Sequence, residues 1–456
     1  MEKSLSNKRQ FNMLEGRLWS KLPMFALPVA ATAILEQLFS ASDVAVVGNF
    51  TGAASTASVA AVGANTPISG LIVNLFIGVA LGANVVVAQA LGRRDQATVD
   101  RAVHTAVLMA LIAGLMVAII GEILAAPFLT LLKVPEDVFS LALLYLRIYL
   151  LGMPVILLYN FESAIFRSVG ETRMPLLALT FSGVVNVLLN LFFVIVLHRT
   201  VDGVAMATVI ANGISAAILF RRLTTTHLPI RMTPRRLRID WQVLGQILRI
   251  GLPAGVQGAM FGISNLVVQS AINALGVVAM AASSAAFYIE VITFDILNAF
   301  GQACTTFVGQ NYGAGQYQRC RRVMLLCIAE AALAIAFVLA LVVVFGKPML
   351  SIFNDTPAVI ALGYIRLMVI MPAHFFSMVY EVLSGYLRGF GISLVPAILT
   401  VIGVCGLRVA WVQLVLPLAP NFTTLMIVYP VTLLTTAIFL IIATCVFHPV
   451  RKLEKA

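Results

Sequence analysis

The chain has 456 residues, of which 61% are hydrophobic and only 11% are charged. A soluble domain carries about 25% charged residues, so a soluble fold is excluded, and no polar stretch is long enough to fold alone. The net charge of +11 invites a nucleic-acid reading, but the basic residues are spaced as a membrane topology requires, and no nucleic-acid partner is expected.

Taken in chain order, apolar runs near 23–46, 58–80, 102–125, 138–160, 174–197, 201–220, 247–271, 280–306, 323–346, 359–384, 394–416 and 425–447 each approach the ~20 residues that cross a bilayer as a helix. They lack the alternation of membrane-spanning strands. The predicted fold class is all-α integral membrane: about twelve transmembrane helices in two six-helix lobes, related by pseudo-two-fold symmetry along the membrane normal. The basic start before the first run imitates a secretion leader. That run is long, carries acids and lacks a clear cleavage site, so it is read as a retained first helix.

Charges inside spans are costly and usually face a cavity or a partner. Asp43 lies in the first run, and Glu36, seven residues earlier, shares nearly the same helix face. In the fifth run Asn186 and Asn190 are four residues apart and share a face. Thr208 adds a hydroxyl in the sixth. One acid, two amides and a hydroxyl suit a proton or a hard cation such as Na+; plain hydrogen bonding between helices is the other reading.

The stretch from Leu219 to Arg249 is the longest hydrophilic loop and carries seven arginines. Beyond it, Asp295, Asn298 and Gln302 follow helical spacing, as do His374, Ser377, Glu381 and Ser384. Glu290, Glu330 and Glu162 are less patterned. Arg408, within the eleventh run, is expected as a counter-ion for Asp295 or Glu381. Asp295, Glu290, His374, Glu381 and Arg408 are thus candidates either for binding substrate or for structural ion pairs. The five cysteines show neither metal-ligand nor paired spacing; no metal site and no cofactor is expected, apart from Na+ at Asp43.

The chain also repeats itself. Val87, Gln89 and Gly92 recur as Val308, Gln310 and Gly313, and Tyr159, Arg167, Gly170 and Pro175 recur as Tyr380, Arg388, Gly391 and Pro396, all 221 residues later. Leu27-Pro28 matches Leu252-Pro253 at 225, which four extra residues near Gly48–Gly63 would explain. The Gln-x-x-Gly copies are read as tight turns at cytoplasmic helix ends. Residues 1–220 are the expected N-lobe, 221–246 a cytoplasmic basic linker and 247–456 the C-lobe. An even helix number per half makes the repeats parallel, with a central cavity and alternating access between them. Of 30 Lys and Arg, 24 fall on one side of this topology. Positive-inside bias places both termini in the cytoplasm of a multi-pass plasma-membrane protein, in the inner membrane if bacterial.

With Pro28, Asp43-Val-Ala-Val-Val-Gly48, the Gln89–Gly92 turn, Arg167-x-x-Gly170 and Gly309-Gln-Asn-Tyr-Gly-Ala-Gly315, the chain resembles the multidrug and toxic compound extrusion (MATE) transporters over nearly its whole length. The resemblance implies efflux of amphipathic, often cationic compounds in exchange for H+ or Na+. It implies that Asp43 is the first-helix cation acid, that Asn186 and Asn190 are the fifth-helix polar pair, and that Thr208 is a sixth-helix member. Some members have an acid at the place of Asn190 and a Tyr at that of Phe39, and some a Glu on the seventh helix, so the proton and sodium branches are not separated. A monomer working with small molecules, H+ or Na+ and the bilayer is expected. The alternative, a flippase for a lipid-linked precursor, would favour a strongly cationic cavity, whereas acids outnumber bases within these helices. No sequence pattern of an intramembrane enzyme is present.

Overall fold

In the computed structural model, which describes residues 11–447 and 449, the apolar runs are helical. The first half comprises α1 (Leu18–Phe50), α2 (Ser55–Gly92), α3 (Gln96–Leu131), α4 (Glu136–Leu151), α5 (Met153–Ser168), α6 (Arg173–Leu191) and α7 (Val201–Thr225). The second comprises α8 (Trp241–Ala274), α9 (Val277–Gly313), α10 (Tyr317–Ser351), α11 (Pro357–Gly389), α12 (Leu394–Thr400), α13 (Leu407–Ala410) and α14 (Phe422–Phe447). Among the described residues, eleven helices are long and apolar enough to cross a membrane, and α4 with α5, bent by 50°, makes twelve if counted as one span. Pro154 accounts for the bend, because it has no N–H to offer the carbonyl of Leu150. A Cβ at Gly152 would stand 2.4 Å from Val209, so the junction also needs a glycine. Of the terminal basic residues used in the topology, Lys3, Lys8, Arg9, Arg451, Lys452 and Lys455 lie outside the described residues.

The duplication is visible in the element boundaries. Helix starts at Gln96, Glu136, Arg173 and Val201 recur at Tyr317, Pro357, Leu394 and Phe422, each 221 residues on. Gly170 and Gly391 both have φ 84°, the left-handed conformation that glycine adopts without a Cβ penalty. Their N–H groups donate to Arg167 O and Arg388 O at 2.9 and 2.8 Å, closing the same turn in each half. The Gln-x-x-Gly copies behave differently from the expected tight turns. Gln89–Gly92 and Gln310–Gly313 are the last turns of α2 and α9, and positive φ falls two residues later, on Arg94 and Gly315. α2 also outruns its apolar stretch by three turns. Its end is buried by protein rather than by lipid, and such a surface does not need uniform apolarity.

The chain forms two units. One is Ala31–Gly255 and the other is Asn12–Ala30 with the described residues from Val256 onward. The first unit therefore includes the start of α8, and the second the start of α1; both divisions fall two residues after a proline, Pro28 and Pro253. In the first unit Gly78 and Gly82 of α2 meet Gly251 and Gly255 of α8 so closely that a Cβ at Gly78 would lie 2.1 Å from the backbone N of Gly255. Small residues four apart on both helices permit this approach. In the second unit the repeat counterparts Ala26, Ala30, Ala299 and Ala303 are buried as well.

Residues 221–246 belong to the first unit, packed on the start of α3. His104 Nδ1 donates to Asp100 O at 2.7 Å, so its Nε2 can accept the Thr233 N–H at 3.1 Å. The Asp240 N–H donates to Thr105 Oγ1 at 3.0 Å, Asp240 Oδ1 accepts the N–H groups of Gln242 and Val243 at 3.1 Å, and Asp240 Oδ2 pairs with Arg101 at 3.2 Å. Asp240 thus caps α8 as an N-terminal acid does. The seven arginines remain exposed.

Candidate cation site and the charged residues of the second unit

Asp43 sits in the last third of α1 and is only 7% exposed. Its Oδ1 accepts Asn190 Nδ2 at 2.6 Å and its Oδ2 accepts Thr208 Oγ1 at 2.9 Å. Asn190 Nδ2 also approaches Asn186 Oδ1 at 3.3 Å, and Asn186 Nδ2 approaches Thr208 Oγ1 at 3.5 Å. Thr208 Oγ1 also lies 3.0 Å from Val204 O. A hydroxyl has one proton, so the bond to Asp43 is made at the expense of the usual back-bond to the helix. Asn190 is fully buried, and its Oδ1 has no partner among the described residues. No basic side chain lies within 4 Å of the Asp43 carboxylate among them. The four residues read from the sequence thus meet around one carboxylate, supplied by α1, α6 and α7.

Glu36, expected nearby, is exposed and lies within electrostatic range of Tyr149, Tyr159 and Arg167.

The close approach of α1 and α6 depends on Gly183, which the sequence reading did not single out. A Cβ there would fall 1.9 Å from the ring of Phe39. Phe39 is one turn before Asp43, and Gly183 is one turn before Asn186 on the face that leads to Asn190. The available signal was a lone glycine in register with the amide pair. Tyr145 and Tyr149, stacked with centroids 6.2 Å apart, also lie within electrostatic range of Asp43.

In the second unit the expected substrate candidates do not form one cluster. Glu290 receives both Nε and Nη2 of Arg366 at 2.7 and 2.8 Å, a buried two-pronged ion pair. His374 is buried with neither ring nitrogen partnered among the described residues. Asp295 is half-buried with Oδ2 unpartnered among them, and Gln302 donates to Asn298 at 2.7 Å. Glu381 packs against Gly301 of α9, its Oε2 3.5 Å from where a Cβ would stand. Arg408 is the counter-ion of neither Asp295 nor Glu381. It donates Nη1 to Asn265 Oδ1 at 2.6 Å and lies over the rings of Phe261 and Tyr429, at 5.1 and 4.7 Å. Among the described residues of the second unit, the guanidinium within ion-pair distance of an acid is that of Arg366, which the sequence reading left unassigned.

Among the described residues, eleven spanning helices and one bent pair, repeated at a constant offset, define a duplicated multi-pass membrane fold. A protein named as the probable multidrug resistance protein YoeA of Bacillus subtilis is 25% identical over 403 residues, 86% of each chain. One named as an FAD transporter, of Shewanella oneidensis, is 24% identical over 315 residues, 67% of this chain and 68% of its own. The solved structure of a MOP superfamily transporter from Pyrococcus furiosus superposes with a TM-score of 0.89 at 20% identity, covering 98% of this chain and 99% of that one; at that identity the likeness shows the fold. The MatE family model matches residues 28–192 and 253–412, well over half of the sequence. The chain belongs to the MatE family, a family of multi-pass membrane transporters and not of enzymes.

Proposed function

We propose that this chain is a secondary active multidrug efflux antiporter. It exports amphipathic, often cationic compounds in exchange for H+ by alternating access, and Asp43 is the group that binds the coupling ion. The observation that carries this reading is a buried carboxylate with three neutral polar residues around it and no cationic partner among the described residues. A carboxylate inside a span is costly unless a charge or a proton relieves it. Binding H+ removes that cost, so the ion occupancy of Asp43 biases the conformation of the helices that hold it.

The geometry supplies a local consequence of protonation. Ionised Asp43 accepts two bonds; protonated Asp43 must donate one. Protonated on Oδ2, Asp43 donates to Thr208 Oγ1, whose own proton turns to Val204 O at 3.0 Å, while Asn190 Nδ2 still donates to Oδ1. The reversed bond couples the charge state of α1 to the backbone of α7. Na+ is the competing ion: Asp43, Asn186, Asn190 and Thr208 carry the oxygens a hard cation needs. One carboxylate is the sole anionic group of this shell among the described residues, a sparse cage for Na+, which favours the proton.

Relatives named for multidrug resistance support the substrate class. The basic residues on one side support cytoplasmic termini in a plasma membrane. Purified protein in liposomes, loaded with a cationic dye and given a proton gradient or a sodium gradient separately, tests the proposal. Dye movement should follow the proton gradient. Movement that follows only the sodium gradient overturns the choice of ion, and movement with neither overturns the antiport reading.

A further inference from the structure

The positions of the second repeat that correspond to the Asp43 cluster surround a cation instead of an acid. At the offset of 221, Asn186, Asn190 and Thr208 correspond to Leu407, Trp411 and Tyr429, and at 225 Asp43 corresponds to Val268. The acid and both amides are gone. Arg408 follows Leu407 directly, and Asn265 lies one turn before Val268. In the second unit these residues meet: Arg408 bonds Asn265 and lies over the ring of Tyr429, the counterpart of Thr208.

The charge of Arg408 is not met. The neighbouring Arg366, also over the Tyr429 ring at 5.5 Å, is neutralised by Glu290. Arg408 is 2% exposed, and no carboxylate lies within 4 Å of it among the described residues. Its Nη1 is engaged, while Nε has no partner and Nη2 makes no hydrogen bond among them. The Nε–Nη2 edge is the one that takes a carboxylate in two-pronged fashion. A buried cation without an anion is costly and marks a functional position inside a membrane.

Two further features suit a ligand. Arg408 sits in a four-residue α-helical piece, α13, between π-helical segments at Val401–Gly406 and Trp411–Val415; such breaks recur at functional sites. The partner Asn265 is exposed, and the space where a Cβ of nearby Gly262 would stand has no atom within 4 Å. The guanidinium is therefore one side chain below an open surface of the unit.

We propose that Arg408, Asn265 and Tyr429 form an anion-recognition site that takes a carboxylate on the exported amphiphile. It rests on the exporter reading above and narrows its substrate class: compounds bearing both a cationic body and a carboxylate are accepted.

Rhodamine B and its ethyl ester share one cationic ring system and differ in whether the carboxylate is free. Fluorescence-polarisation titrations of the full chain in phosphatidylcholine nanodiscs should show the acid binding about tenfold tighter, as one charge-assisted bond allows. Arg408→Gln should erase that preference. Asn265→Asp, at an exposed position, gives Arg408 an internal carboxylate and should erase it too; it decides the matter if Arg408→Gln does not fold. Equal binding of both dyes to the wild type, binding of neither, or a preference kept by either variant overturns the site. A preference present in phosphatidylcholine and lost in phosphatidylglycerol assigns the site to a lipid headgroup and overturns the substrate reading. Gradient-driven efflux of the ester, measured separately, tells failure of this site from failure of the exporter reading.

Discussion

Gly183→Ala tests how the candidate cation site is assembled. The added Cβ would lie 1.9 Å from two ring carbons of Phe39 and 2.5 Å from a third. Carbon contacts settle near 3.5–4.0 Å, so the ring or the helix must retreat by about 1.6 Å or more. The bond from Asn190 to Asp43 is 2.6 Å long. Moving α6 back by that amount carries it beyond the ~3.5 Å at which such a bond fails. Overpacking of this kind costs about 1–3 kcal/mol. Purified Gly183→Ala should unfold at a lower temperature in detergent and lose most gradient-driven dye efflux. Adding Phe39→Leu, which removes the ring, should recover both. Normal efflux with an unchanged unfolding midpoint, or no recovery in the double variant, would refute the reasoning.

Four further outcomes are expected. Glu290→Gln leaves Arg366 buried without an anion, which costs about 3–5 kcal/mol; its unfolding midpoint should fall, and Glu290→Gln with Arg366→Met should regain most of the loss. The backbone N–H of Val243, aided by the Arg101 guanidinium, holds the Asp240 carboxyl below its ordinary range. Its contribution is therefore present above the usual carboxylate pKa and lost as pH falls through the lowered folded value, so the protection of amides in 230–240, corrected for the intrinsic pH dependence of exchange, should be weaker at pH 2 than at pH 7, and Asp240→Asn should flatten the difference. A cysteine replacing Arg235, which is exposed, should resist an impermeant thiol reagent in intact cells; ready labelling would reverse the orientation. Asn190→Ala should weaken coupling less than Asp43→Asn, since it removes a ligand and leaves the charge; an equal or larger loss would shift the central role to the amide.

Much of the fold was legible because lipid demands long apolar helices, and because a duplication leaves matched turns such as Gly170 and Gly391. Helix ends were not: α2 and α9 continue into protein-covered segments where hydropathy has no edge. The first-unit site was legible because an acid, two amides four residues apart and a hydroxyl stand out in apolar spans. Gly183 was not, since its role lies in the ring it admits. Glu36 follows Asp43 in periodicity, yet two turns along the helix is far enough to meet different neighbours. Pairing in the second unit was illegible for a simpler reason. Glu290 and Arg366 are 76 residues apart, and no local spacing tells which of several arginines reaches which acid; burial gave the acid to Arg366 and left Arg408 to an amide and two rings.

The central claim is that the ion bound at Asp43 is exchanged for substrate. The direct measurement is proton movement driven by substrate alone. Liposomes holding the purified chain and a pH-sensitive dye, without an imposed pH gradient, are given a gradient of a cationic compound. A one-unit pH difference is worth about 1.4 kcal/mol, so a tenfold substrate gradient should drive a shift approaching one unit for one-to-one exchange of equal charges. The wild type should show that shift in the direction opposite to substrate movement, and Asp43→Asn, correctly inserted and folded, should show none. Wild-type proton movement by Asp43→Asn, or substrate movement by the wild type without protons, would contradict the account.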